Sequence, residues 1–257
     1  MTAADRFNLD GKIALVTGAG SGLGRHFAHV LAAAGASMIL AARRREKLEE
    51  TARSIADKGG DARCIDLDVT ESSSVQDCFA EIESSVGTLD ILVNNAGIAR
   101  QEFLVEMSED DWDAVIDTNL KGVFLVAQRA AQAMIKAETP GSIINIASIL
   151  GLRVSKALGS YIAAKSAVVQ MTKAMALEWA QFDIRVNAIA PGYFITEMNQ
   201  EQFDAGAGEI LVKRVPMRRI GELEELSGPI LLLASDAGSF MTGSTIEVDG
   251  GQLCNSL

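Results

Sequence analysis

Seven short apolar runs recur along the chain, at Ile13 to Val16, Met38 to Ala41, Arg63 to Leu67, Ile91 to Val93, Ile143 to Ala147, Ile184 to Ala190 and Thr245 to Val248. Most are rich in branched residues and lack strict alternation, the pattern of strands covered on both faces, as in a parallel sheet between layers of helix. Segments of helical length lie between them. Leu23 to Ala34 places Leu23, Phe27, Val30 and Leu31 on one face and stops at Gly35, and Glu46 to Lys58 stops at Gly59-Gly60. Ser108-Glu-Asp-Asp111 has the spacing of a helix start, and the apolar period runs on from it towards Met134. This alternation predicts an α/β fold: a Rossmann-like doubly wound sheet of about seven parallel strands with helices on both faces, its ligand at the carboxyl ends of the strands where strand order reverses. No linker, repeat or low-complexity tract interrupts the alternation, so residues 1–257 read as a single domain.

Charge and cysteine usage narrow the function classes. A net charge of −11 opposes a nucleic-acid surface. The three cysteines, Cys64, Cys78 and Cys254, are widely spaced without C-x-x-C, which suits reduced thiols. Met1 to Lys12 lacks a basic and then apolar leader, and no apolar run approaches a membrane span, so a soluble, cytoplasmic protein with no membrane partner is expected.

The candidate chemistry begins at the first strand's end, in Thr17-Gly-Ala-Gly-Ser-Gly-Leu-Gly24. Glycines let a backbone turn sharply and approach a bulky ligand, and the free amides and positive dipole of a helix start attract phosphate. Gly18, Ser21, Gly22, Leu23 and Gly24 therefore read as a diphosphate seat, the alternative being an ordinary tight turn; the spacing is neither G-x-G-x-x-G nor a P-loop. After the second strand stands Ala41-Ala-Arg43-Arg-Arg45, with no carboxylate for ribose hydroxyls. Arginines there suit a 2′-phosphate, so NADP is favoured over NAD through Arg43 and Arg44, against a solvated charge run. The third strand ends in Asp66-Leu-Asp68, where a carboxylate either accepts from an adenine amino group or caps a helix.

Tyr161 and Lys165 are four residues apart in a helical segment continuing to about Trp179 and so share a face. A neighbouring ammonium favours the phenolate, so Lys165 is expected to lower the Tyr161 pKa and make the phenol a usable acid/base. Ser148 ends the fifth strand, on the same rim. Serine and tyrosine converging on one substrate oxygen, with a nicotinamide against the adjacent carbon, is a hydride-transfer geometry. Asn119, inside an otherwise apolar helix, either holds a water or kinks the backbone. His26 and His29 make at most half a metal site, so no metal is expected. Tyr193 to Arg218, with Gly206 and Gly208 in a polar stretch, reads as a substrate lid, the alternative being two surface helices; Arg153 either meets an anionic substrate or is solvated.

Taken in order, Thr17-Gly-x-x-x-Gly-x-Gly24, Asn94-Asn-Ala-Gly97, Asn119, Ser148, Tyr161-x-x-x-Lys165 and Pro191-Gly192 closely resemble the short-chain dehydrogenase/reductase family, from Lys12 to Gly251. The ending Val248-Asp-Gly-Gly251 is similar to that of 3-oxoacyl-carrier-protein reductases and related sugar or alcohol dehydrogenases. The resemblance implies an oxidoreductase acting between NADP(H) and a carbonyl or secondary alcohol. Tyr161 would be its acid/base, Ser148 would orient the substrate oxygen, Lys165 would bind the nicotinamide ribose, and Asn119 would hold a relay water. Asp68 and Val69 would meet adenine, Asn95, Ala96 and Gly97 the adenosine side, and Thr196, after Pro191 and Gly192, the carboxamide region. Many NADP-preferring relatives carry a basic residue where this chain has Ser21, which leaves Arg43, helped by Arg44, as the phosphate anchor. The same resemblance implies a homotetramer with D₂ symmetry, built through the helices Ser108 to Met134 and Tyr161 to Trp179 and through the C-terminal strand. A silent NADP-binding sensor or scaffold is the rival from another class; binding alone does not need Ser148.

Overall fold

A computed structural model describes residues 2–196 and 208–254, and within them the seven apolar runs become one parallel sheet in the order β3-β2-β1-β4-β5-β6-β7. The strands are β1 Ile13–Thr17, β2 Ser37–Ala42, β3 Ala62–Asp66, β4 Ile91–Asn94, β5 Gly141–Ile146, β6 Ile184–Pro191 and β7 Thr245–Val248. Successive side chains on a strand point to opposite faces. Ala14 and Val16 of β1 therefore join one core with Phe27 and Leu31 of α1 (Gly22–Ala33) and Leu48 of α2 (Arg45–Ala56), while Leu15 joins the other with Val75 and Phe79 of α3 (Ser72–Ser85). This is why the runs show no alternation. Completely buried side chains such as Phe27 and Phe79 each contribute about 1.5–3 kcal/mol.

The helical run from Ser108 is not continuous. Ser108 caps as expected, its hydroxyl accepting from the Asp111 amide at 3.1 Å, and α4 (Glu109–Ile116) follows. Residues Asp117–Lys121 then form a π-helical turn before α5 (Gly122–Ala137). Two features accompany the break: Asn119 turns its side chain onto a neighbouring loop, and a Cβ on Gly122 would stand 2.7 Å from Val69 Cγ2, so that helix and strand end meet closely. Helix α6 (Gly159–Trp179) lies on the same face, whereas α8 (Ser227–Ala234), reached through α7 (Gly208–Arg214), covers the face carrying α1.

Strand order reverses between β1 and β4, and a buried polar chain fixes that neighbourhood. Asn94 Nδ2 donates to Asn145 Oδ1 at 3.0 Å, and Asn145 Nδ2 to Thr172 Oγ1 at 2.9 Å. It joins β4, β5 and α6, of which the two strands lead into Asn95 and Ser148 and the helix carries Tyr161. No helix among the described residues is long and apolar enough to cross a membrane.

Candidate active site

A cleft of about 630 Å³ opens at the carboxyl ends of the strands, over the reversal point. Its floor is the glycine loop. Thr17 locks that loop to β4: its Oγ1 accepts from the Asn95 and Ala96 amides at 3.0 Å each, and Asn95 Nδ2 donates to Thr17 O at 2.9 Å. Gly18 and Gly22 have φ of +67° and +51°, a region that favours glycine. A Cβ on Gly24 would stand 2.3 Å from Gly18 O, so this glycine closes the loop from behind, outside the lining of the cleft. The first turn of α1 carries no capping side chain and no carboxylate, leaving the amides of Gly22 and Leu23 for an anion, with Gly24 packed behind them. These features fit the diphosphate of a dinucleotide.

At the adenosine end, Ser21, Arg43, Arg44, Asp68, Val69, Asn95, Ala96 and Gly97 all line the cleft. Arg43 is 68% exposed and pairs loosely with Asp68 at 3.8 Å, while Arg44 donates to Ser21 Oγ at 3.4 Å. Both guanidiniums thus border the mouth, held weakly enough to take another anion. Asp68 also holds a turn, accepting at Oδ1 from the Thr70 amide and hydroxyl. That turn precedes α3, whose N-cap is Glu71, so Asp68 is not a helix cap, and its Oδ2 faces Arg43.

Ser148, Tyr161 and Lys165 come together at the other end, with Pro191, Gly192 and Thr196 along the adjoining wall. Ser148 is extended, and its hydroxyl accepts from the Leu150 amide at 3.1 Å, capping a short 3₁₀ turn, Ile149–Gly151. Gly151 has no side chain because a Cβ would lie 2.7 Å from Lys165 O, which brings the serine loop onto the first turns of α6. The Ser148 hydroxyl and the Tyr161 phenol line the same part of the cleft. Lys165, only 3% exposed, donates from Nζ to Ile146 O at 2.7 Å and stands 5.7 Å from the centre of the Tyr161 ring.

The electrostatics correct one expectation. Burial pushes the Tyr161 phenol above its ordinary value, although the ring keeps some surface on the cleft, and the nearby Ser148 hydroxyl only partly opposes that rise. In this arrangement burial dominates, and Lys165 Nζ donates to the Ile146 carbonyl and not to the phenol. Lys165 is itself pulled down to about 8 by burial. Below that pH the pair consists of a neutral phenol and a charged amine, the state suited to proton donation.

Asn119 sits behind the cleft wall. Its side chain is wholly buried and both polar atoms are used: Oδ1 accepts from Ile98 N and Nδ2 donates to Ile98 O, each at 2.8 Å. Thr118, its neighbour, lines the cleft instead.

Arg153 turns to the C-terminal segment, donating to Gln252 O at 2.8 Å. Of the segment 193–218, residues 197–207 lie outside the described residues; Phe194 and Thr196 line the cleft, and the Gly221 amide donates to Tyr193 O at 3.0 Å. His26 shares a hydrogen bond with Ser227 at 3.1 Å, and no group of three or more potential metal ligands gathers among the described residues. Sequence reasoning missed Thr17 and Ile98 as site-building residues. The signal for each lay beside a motif already noted, in the hydroxyl before Gly18 and the residue after Gly97.

Comparison with known proteins agrees with this geometry. The family profile described as enoyl-(acyl carrier protein) reductase matches residues 18–252. A 3-oxoacyl-[acyl-carrier-protein] reductase of Thermotoga maritima is 41% identical over 243 residues, covering 95% of this chain and 98% of that protein. A gluconate 5-dehydrogenase of Gluconobacter oxydans is 40% identical over 252 residues, covering 98% of each. Among solved structures, a short-chain type dehydrogenase/reductase from Mycobacterium marinum superposes with a TM-score of 0.95 at 41% identity, covering 99% of this chain and 100% of that one. A gluconate 5-dehydrogenase from Burkholderia cenocepacia, in complex with NADP and tartrate, superposes with a TM-score of 0.95 at 43% identity and the same coverage.

Proposed function

The chain belongs to the short-chain dehydrogenase/reductase family, and from that membership and the cleft's chemistry we propose that it is an oxidoreductase transferring a hydride between NADP(H) and a carbonyl or secondary alcohol. The observation that carries the reading is the convergence of Ser148, Tyr161 and Lys165 at one end of a cleft whose other end holds a glycine loop and two arginines.

The bound cofactor supplies or accepts the hydride. The amides of Gly22 and Leu23 would hold its diphosphate, Arg43 and Arg44 its 2′-phosphate, and Asn95 to Gly97 with Val69 would enclose the adenosine. Lys165 and Thr196 face the nicotinamide half. In the reducing direction the Ser148 hydroxyl and the Tyr161 phenol donate hydrogen bonds to the carbonyl oxygen, stabilising the charge that develops there. Tyr161 then gives its proton to that oxygen. Lys165, charged below about pH 8, favours the phenolate left behind. In oxidation the same proton moves from substrate hydroxyl to Tyr161. Asn119 acts one layer back, fixing the loop at Ile98.

Trp112 on α4, Phe124 on α5 and Leu177 on α6 are exposed large apolar side chains, the last 83% exposed. They support assembly as a homotetramer through this helical face, which light scattering on the purified chain tests. The catalytic reading is tested by NADPH oxidation against a panel of ketones, 3-oxoacyl thioesters, sugar acids and quinones. Turnover with at least one carbonyl is expected, and absence of NADPH binding would overturn it.

A further inference from the structure

The glycine loop has a rear side as well as a face on the cleft, and the rear is held by a helix that the binding scheme does not use. Thr51, on α2, is 1% exposed. Its hydroxyl lies 3.2 Å from Ala19 O and 3.1 Å from Lys47 O, and Arg25 Nε donates to it at 3.2 Å. Lys47 O stands four residues earlier on the same helix, where the Thr51 amide already reaches it. Ala19 O is different. Ala19 is wholly buried, and among the described residues no backbone amide outside regular helices and strands donates to its carbonyl. Leaving such a carbonyl unpaired is costly, so the hydroxyl hydrogen belongs on Ala19 and the guanidinium satisfies the hydroxyl oxygen.

Ala19 sits between Gly18 and Gly20, both of which line the cleft. A Cβ on Gly20 would stand 2.8 Å from Lys47 Cβ, so the loop backbone rests directly on α2. Arg25 is braced in turn by Glu50 at 3.2 Å, which also holds Lys47 at 2.9 Å. The same helix follows immediately on Arg43 and Arg44. On the dinucleotide reading above, we propose that Thr51 is a positioning residue for cofactor binding: through Ala19 it sets the peptide planes of the loop that meets the diphosphate, with Arg25 holding its hydroxyl in place. Without the hydroxyl, the Ala19 peptide must turn to find another donor and carries Gly20 and Ser21 with it.

Two ligands separate this role from general support. NADP⁺ engages the loop; adenosine 2′-monophosphate has the adenine and 2′-phosphate but no diphosphate. In calorimetric titrations of the whole protein, Thr51→Val is expected to weaken NADP⁺ about fivefold to tenfold, the effect of roughly one hydrogen bond, and to leave adenosine 2′-monophosphate within about twofold. Thr51→Ser, which restores the hydroxyl, recovers NADP⁺ affinity. Should Thr51→Val not fold by thermal melting, Arg25→Met provides the test, with a smaller loss of the same selectivity. Unchanged NADP⁺ affinity, or equal losses for both ligands, overturns the proposal. Wild-type protein that binds neither ligand overturns the NADP reading itself; wild-type protein that binds both while Thr51→Val changes nothing overturns this proposal alone.

Discussion

Asn119 and Ile98 are joined twice, amide to backbone, at 2.8 Å in each direction. A carboxamide has a donor and an acceptor side by side, the pair that a peptide group presents, so a side chain here does the work of a neighbouring strand. The loop it steadies begins at Gly97, whose Cβ would stand 3.2 Å from Asn119 Oδ1. The π turn on which Asn119 sits therefore trades helix regularity for a fixed loop at the middle of the cleft.

Asn119→Asp keeps the shape and removes the donor. The introduced carboxylate still accepts from Ile98 N, but it faces Ile98 O with no hydrogen between them, inside a fully buried site. A loss of about 2 kcal/mol or more in urea unfolding near neutral pH is expected. The native-state pKa of that carboxyl would be raised, so protonation restores a donor and the deficit narrows on acidification. A deficit independent of pH would contradict the two-way bond.

Tyr161→Phe removes the proton and keeps the ring. Turnover should fall by at least about a hundredfold, the lower range for a general acid/base, while NADPH binding stays near the wild-type value. Stopped turnover with intact fluorescence of bound NADPH is the signature. Wild-type-like rates would remove Tyr161 from the chemistry.

On the proposed reading the cofactor preference rests on Arg43 and Arg44, since Ser21 offers no charge. Arg43 has little to lose in the free chain, its pairing with Asp68 being long and exposed. Arg43→Ala should raise the KM for NADPH about tenfold or more, as for loss of a charge-assisted bond to phosphate, and barely change that for NADH. Equal losses for both cofactors would assign Arg43 to the adenine or to the fold.

Much of this fold is legible in sequence, because β1, β2 and β4 to β6 are buried on both faces and so are spelled as continuous branched runs. Helix α3 is faintly marked: its first turn is Ser72-Ser-Ser74, and only Val75, Cys78, Phe79 and Ile82 make its buried stripe. The π turn is marked in sequence only by Asn119, whose residue type admits a held water or a kink alike, so pattern alone does not choose the break in the backbone. Residue types at the site are legible; the direction of a polar atom is not. Spacing puts Lys165 beside Tyr161, but only the packed structure turns its amine to Ile146 O, and only burial sets which titration moves which way.

That burial makes a prediction about stability. Lys165 titrates near 8 in the folded protein against 10.5 for an ordinary lysine, so between those values the unfolded chain holds a proton that the folded chain has released. Where the unfolded state binds more protons, stability rises with pH. The buried ammonium thus costs the fold most below about pH 8, on the order of 3 kcal/mol, and the cost fades towards pH 10.5. Tyr161 has the opposite sign, its raised pKa lowering stability with pH, but only above its ordinary value of 10.0. The buried Cys78 thiol, raised to about 12, and Cys64, also raised, lower stability above about pH 9, but they are common to wild type and a Lys165 variant and cancel between them. Lys165→Met, which keeps the length and drops the charge, should therefore be more stable than wild type near neutral pH, less the bond to Ile146 O. That advantage should shrink in denaturant melts as pH climbs from about 8 to about 10. Parallel pH dependences for the two proteins would mean that the folded lysine keeps its ordinary pKa, and that its charge is solvated through the cleft.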